Sequence, residues 1–346
     1  MDEFVCLRII QFNGVDLSLF QFDYDMSFAV FFLNADGTIY GRYGTRNERP
    51  EKADSQISME GMRKAMEASL ALHREYPGNA EQLEAKRGPA PEHLRPEQYP
   101  QLSKYTPKIN YGNQVAKSCI HCHQVHNAER QGLRDAKQPI PDEVLYLYPM
   151  PSVVGFSLDP ESRATVKSVV SDSPAGKAGL SVGDELLFAA GQPLVSAADF
   201  QWVLQNTPGA GGSIPLKVRR AGEVREIPLR LENGWRKRTD FGWRVSTWDL
   251  RRMALGGMVF ETDETGAATP LKLSVKGAGR HGGHAVARRA GAREGDRIVS
   301  IAGLSGKPAT EAEVIAHILE ITEKGDSIDV VVKRGETEIP ISFRTQ

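Results

Sequence analysis

The chain has 346 residues, enough for two to four modest domains. Its 40% hydrophobic and 25% charged residues are the ordinary mix of a globular protein, and Lys+Arg 43 against Asp+Glu 44 leaves a net charge of -1. That balance gives no electrostatic reason to expect nucleic acid or an anionic membrane surface, no apolar run approaches the roughly 18 residues of a bilayer span, and three cysteines are too few for a disulfide framework.

The opening "MDEFVCLRII" has no basic n-region, long apolar core or small-residue cleavage site, so no signal peptide is read there. Residues 4–10, "FVCLRII", read as a strand, with Cys6 expected as a buried apolar residue within it. "FAVFFLNADGTIYGRYG" gives two strands joined around Asp36-Gly37, a pair that supplies the positive φ of a tight hairpin. "SMEGMRKAMEASLALHREY" predicts a helix capped by Ser58 and weakened at Gly61. Its stripe of Met62, Met66, Leu70 and His73 is read as core packing. From about Pro77 to Pro107 the chain is rich in Pro, Glu, Lys and Arg, which predicts a linker with short helical pieces.

The segment "SCIHCHQVH" (Ser118 to His126) concentrates sulfur and imidazole. C-x-x-C-H is the attachment signature of c-type haem. On one helical turn, Cys119 and Cys122 would present both sulfurs along one face and His123 would offer an imidazole to the iron. Met150, on the proline-bounded stretch "YPMPSVV", is the candidate sixth ligand. A redox disulfide, a zinc site using Cys119, Cys122 and His126, and a chance occurrence are the competing readings. Haem attachment would require export, so an exported, periplasmic location is expected although this chain shows no signal.

The last two hundred residues contain an internal repeat. "SPAGKAGLSVGDELLFAAGQPLVSAADFQWVLQNTPGAGGSIPLKVRRAGEVREIPL" is followed by "HAVARRAGAREGDRIVSIAGLSGKPATEAEVIAHILEITEKGDSIDVVVKRGETEIPI". Each copy has a short Ala-rich helix ending at a glycine (Gly179, Gly291), then Gly-Asp (Gly183-Asp184, Gly295-Asp296), an apolar strand, a longer helix and a strand pair. The Trp- and Arg-rich stretch between them, "ENGWRKRTDFGWRVSTWDLRRMALGG", is read chiefly as packing surface.

Each repeat resembles the PDZ domain in its bacterial arrangement. The resemblance implies binding of partner peptides and protein C-termini by strand addition, with a glycine-containing loop receiving the terminal carboxylate. It places that loop at Val154, Gly155, Phe156 and Ser157 in the first repeat and at Gly256, Gly257, Met258 and Val259 in the second. Paired C-terminal repeats also resemble HtrA-type serine proteases, but no Gly-x-Ser-Gly-Gly loop precedes residue 150, and Ser305 of "GLSGK" is a turn residue. "VFFLNADGTIYGRYG" resembles the hairpin of the thioredoxin-like fold, with Met26-Ser27 where that family has its cis-proline and without the family's CxxC helix. The whole resembles exported bacterial proteins with a thioredoxin-like region and PDZ repeats.

The expected fold is therefore α+β and multidomain. It comprises the C-terminal half of a thioredoxin-like domain (1–85), a linker and CxxCH haem segment (86–150), and two PDZ-like, partly open β-barrels (151–233 and 234–346). The expected function is redox, electron-transfer or scaffold work with haem c. A scaffold whose CxxC is structural or binds zinc, and a thiol-disulfide oxidoreductase, are the alternatives.

Overall fold

The computed structural model describes residues 3–44, 57–112, 115–263 and 269–346. A hairpin of β1 (Val30–Leu33) and β2 (Ile39–Tyr43) precedes helices α1 (Met59–Glu75) and α2 (Ala80–Glu84). Helices α3 (Val115–Ser118), α4 (His123–Asp135) and α5 (Asp142–Leu145) follow. Next come β3 (Phe156–Leu158), β4 (Val166–Val169), α6 (Pro174–Lys177), β5 (Glu185–Ala189), β6 (Gln192–Pro193), α7 (Ala197–Gln205), β7 (Gly212–Arg220) and β8 (Glu223–Leu231). Helix α8 (Thr247–Leu255) leads into β9 (Met258–Thr262), β10 (Leu273–Ala278), α9 (Val286–Arg289), β11 (Arg297–Ile301), α10 (Glu311–Ile321), β12 (Ser327–Arg334) and β13 (Thr337–Arg344). Among the described residues, no helix is long and apolar enough to cross a membrane. Two compact units result: Met1–Cys122 with Tyr146–Thr239, and His123–Leu145 with Asp240–Gln346.

In the first unit the hairpin forms as its turn chemistry dictates. Gly37 has φ +86°, and the Asn34 N–H donates to the Thr38 carbonyl at 2.9 Å. The Ser58 hydroxyl caps α1 by accepting the Gly61 N–H at 2.9 Å. Of the predicted stripe, Met62 and Met66 pack on a core of Phe32, Tyr40, Tyr43, Ala65 and Ala68, whereas His73 is exposed and meets the Tyr40 hydroxyl at 2.8 Å. Gly61 is no simple weak spot: a Cβ there would lie 2.1 Å from the Pro160 carbonyl oxygen, so the glycine permits a close crossing.

The strand expected over 4–10 is not formed. Val5 is 92% and Leu7 90% exposed, and Cys6 is exposed rather than buried. Strand preference is realised only against a partner, and no described strand lies beside this run.

The two repeats run through nearly the same element order but join their strands into sheets differently. In the first, β3 pairs with β4, and β6-β5-β7-β8 form a four-stranded sheet. In the second, β13-β12-β11-β10-β9 form one five-stranded sheet. Each Gly-Asp turn anchors an ion pair. Asp184 accepts from Arg220 at 2.6 and 2.7 Å and from the Ser181 N–H at 2.9 Å, while Arg220 also donates to the Gly179 carbonyl. Asp296 does the same with Arg334 at 2.7 Å twice and with the Arg293 N–H, and Arg334 reaches the Gly291 carbonyl. Both aspartates are almost fully buried. The arginine binds the turn aspartate and the carbonyl at the end of the short helix together, which fixes that corner in both copies.

Candidate functional sites

The first repeat offers an unpaired strand edge. A 3-10 turn at Pro151–Val154 ends on Gly155 with φ +94°. A Cβ at Gly155 would fall 1.9 Å from the Ser173 Cβ, so only glycine allows the loop to sit on the start of α6. Ser173 caps α6 by accepting the Gly176 N–H and donates to the Val170 carbonyl. Val154 and Phe156 are buried, and the Phe156 ring meets Phe200 of α7 edge-on at 5.1 Å. Ser157 is half-buried and shares a 2.6 Å hydroxyl contact with Ser168.

The Gly155 carbonyl accepts the Val170 N–H, and the Asp159 N–H donates to the Thr165 carbonyl. Alternate residues of an antiparallel strand point their backbone groups to opposite edges. Phe156 and Leu158 therefore direct theirs away from β4, to an edge where no strand pairs among the described residues.

Helix α7 borders this loop and is enclosed on three faces. Phe200, Val203 and Leu204 enter the core of the repeat. On a second face, Asp199, fully buried, accepts from Lys86 Nζ at 3.0 Å and from the N–H groups of Arg42 and Val195 at 3.1 and 2.9 Å. Burial pushes the Lys86 ammonium down to about 8 against the opposing pull of Asp199, and pushes Arg42 down to about 10. The Arg42 guanidinium lies over the Trp202 ring at 4.1 Å, and the Trp202 indole N–H donates to the Ala85 carbonyl at 2.9 Å. On the third face, Gln201 donates to the Tyr148 carbonyl and Gln205 accepts the Tyr148 N–H, at 2.8 and 2.6 Å. Arg236, fully buried, then caps the helix end by donating to the carbonyls of Leu204, Gln205 and Thr207. Trp235 is also buried, in the core of the first repeat, whereas Trp248 of the same stretch is 48% exposed.

In the second repeat the matching loop is built alike. Gly256 and Gly257 have φ +57° and +88°, and a Cβ at Gly257 would lie 1.9 Å from the His284 carbonyl oxygen. Met258 is buried and Val259 half-buried. The edge beyond the loop is not open. Phe260, the counterpart of Leu158, donates its N–H to Glu311 Oε1 at 2.7 Å. Glu311 also accepts from Arg251 of α8, Nε at 3.0 Å and Nη2 at 2.5 Å. Helix α8 thus bridges to α10 across the end of β9. Glu311 is the first residue of α10, where the first repeat has Ala197 as the first residue of α7.

The cysteine segment differs from its expected conformation. Helix α3 ends at Ser118 and α4 begins at His123, so Cys119 and Cys122 lie between helices rather than on one helical turn. Both thiols are half-buried, and Cys119 Sγ donates to the Val115 carbonyl at 3.1 Å. Ile120 is fully buried, and Asn13 fixes the segment there. The Ile120 N–H donates to Asn13 Oδ1 at 2.7 Å, while Asn13 Nδ2 donates to the Ser118 carbonyl at 2.9 Å. His123 is the first residue of α4. Met150 starts the turn before Gly155, and its Sδ accepts from Gln201 Nε2 at 3.4 Å.

The match to known families falls on the first repeat: residues 152–231 match the PDZ domain family. These residues form a PDZ domain. Two relatives are probable periplasmic serine endoproteases described as DegP-like. That of Pseudomonas savastanoi pv. phaseolicola is 39% identical over 76 residues, and that of Pseudomonas putida is 37% identical over 76. Each match covers 22% of this chain and 16% of the relative, so the chain spans about a sixth of those proteins' length. A solved structure of the HtrA3 PDZ domain bound to a phage-derived ligand, FGRWV, is 24% identical. It covers 21% of this chain and 65% of that one, with a TM-score of 0.18.

Proposed function

We propose that the protein is a docking scaffold that binds extended peptides through its PDZ domain. The observation that carries this reading is the unpaired edge of β3, which starts at the glycine loop held on Ser173. An incoming strand would pair with the backbone of Phe156 and Leu158, and its terminal carboxylate would meet the Phe156 amide at the glycine loop. The second unit is read as another PDZ domain because it repeats the element order and the Asp–Arg corner, with its edge held by Glu311. The test is fluorescence polarisation with labelled peptides bearing free or amidated C-termini. Saturable binding of the free-acid peptides, weakened by amidation, is expected. Failure of a diverse C-terminal peptide library to yield any binder overturns the reading.

A second reading concerns the cysteines. The C-x-x-C-H spacing and two half-buried thiols support haem attachment, here from the turn between α3 and α4 and not from one helical turn. Cys119 and Cys122 would hold haem c, His123 and Met150 are the residues proposed for its iron, and the bound group would supply one-electron transfer. Export to the periplasm and a thioredoxin-like N-terminal region belong to this same reading. The order of hairpin and α1 supports the latter. The check is a haem stain after denaturing electrophoresis of protein made with c-type maturation machinery. Stoichiometric zinc without iron would favour a zinc-binding scaffold, and insulin reduction that depends on Cys119 would favour a thiol-disulfide enzyme.

A further inference from the structure

The second unit contains an open hollow of about 400 Å³ beside its glycine loop, away from the cysteines. It is lined by Trp248 of α8, Val259 of β9, Ala278 of β10, Arg280, His281 and His284. This volume is at the lower end of small-ligand sites. Trp248 is 48% exposed, an unusual outlay of aromatic surface, and its ring stacks on His284 at 4.6 Å with 20° between the planes. Burial lowers the His284 pKa, opposed by Asp249, whose Oδ1 lies 3.8 Å from Nε2. The imidazole forms a flat wall beside the indole.

The wall is rigid. The His284 carbonyl is seated against Gly257 and Gly279, where a Cβ would approach to 1.9 and 2.4 Å, and the Gly279 N–H donates to the Gly257 carbonyl at 3.0 Å. Arg280 and His281 form no hydrogen bond or ion pair among the described residues, while the nearby Asp249 is engaged by Arg252 at 3.1 Å. An apolar, aromatic-walled hollow lined by an arginine that forms no ion pair among the described residues is complementary to a ring that carries a negative group.

We propose that this hollow binds an aromatic carboxylate, with the ring against Trp248, Val259 and Ala278 and the carboxylate on Arg280. Such a group can come from a free aromatic acid or from the C-terminal residue of a peptide. The experiment is calorimetric titration of the full chain with N-acetyl-L-phenylalanine and with its carboxamide. The acid binds with one-to-one stoichiometry, and the amide binds about tenfold more weakly or not at all, a difference of about 1.4 kcal/mol. Arg280→Gln weakens the acid to the level of the amide while leaving the melting temperature unchanged, since the side chain is exposed. Val259→Phe, which fills the hollow, abolishes binding. Benzoate and a pentapeptide ending in phenylalanine distinguish the sources: equal affinity for benzoate assigns a free acid, and tighter binding of the pentapeptide assigns a chain terminus. Equal binding of acid and amide, or binding that survives both substitutions, overturns the proposal. Because Gly155 and the β3 edge are not involved, Gly155→Ala leaves this titration unaltered even where it abolishes PDZ peptide capture.

Discussion

The two repeats share a corner and differ at an edge. Both clamp a buried aspartate, Asp184 or Asp296, with an arginine that also holds the end of the short helix. Yet the Phe260 N–H is taken by Glu311, whereas the edge of β3 at Leu158 is unpaired. An unpaired edge invites pairing with another chain, and proteins usually cover one that has no use. The difference rests on one helix position, Glu311 against Ala197, and on α8, which brings Arg251 to the glutamate. A shared scaffold thus supports an exposed edge in one copy and a sealed one in the other.

The largest expected effect tests how the helix beside the open edge is held. Asp199→Ala strips the counter-charge from a fully buried Lys86, and removing one partner of a buried pair costs about 3–5 kcal/mol. Urea denaturation should show that loss, and adding Lys86→Met should recover much of it. The same pair gives a pH signature. The folded Lys86 pKa is lowered from 10.5 to about 8, so the unfolded chain binds more protons between those values. The Lys86 contribution therefore rises with pH from about 8 to 10.5 and falls away as pH drops through 8. The difference between wild-type and Lys86→Met denaturation midpoints across this range measures it, and a flat difference contradicts it.

Next in size is Gly155→Ala. The left-handed backbone and the overlap with Ser173 predict a loss of about 1–3 kcal/mol by thermal melting, together with loss of PDZ peptide binding. Glu311→Ala leaves Arg251 and the Phe260 N–H without their acceptor and should cost about 1–3 kcal/mol. Amide exchange at Phe260 should accelerate, and unchanged protection there would show that the glutamate does not seal the edge. The smallest effect on stability is expected from the reciprocal change. Ala197→Glu should alter the melting free energy by only about 0.5 kcal/mol yet weaken peptide binding roughly tenfold, by offering the β3 edge an acceptor of its own. Unaltered affinity would mean that residue 197 does not control access.

Features set by neighbouring residues were legible in the sequence. Asp36-Gly37, Ser58 and the paired Gly-Asp turns each carry a local conformational demand that few other residues meet. The arginines that complete those turns were missed, although Arg220 and Arg334 stand at nearly the same distance after their aspartates and the internal repeat would have revealed them. The contact of Arg42 with Asp199 spans 157 residues, and no local pattern encodes it. Residues 4–10 misled for the converse reason: their composition suits a strand, but a strand needs a partner. At Cys119 and Cys122 the spacing implied a helical turn, whereas Asn13, a distant residue, holds the segment between two helices.

The enclosure of α7 bears on how this protein can be dissected. The PDZ family match begins at residue 152, yet the helix that borders its glycine loop is completed by Arg42, Lys86, Ala85 and Tyr148, all upstream. Excising residues 152–231 would bare the Trp202 indole, leave Asp199 without its ammonium and remove the cap supplied by Arg236. Recombinant fragments should therefore run from before Asn13 to beyond Thr239 if they are to report on native recognition.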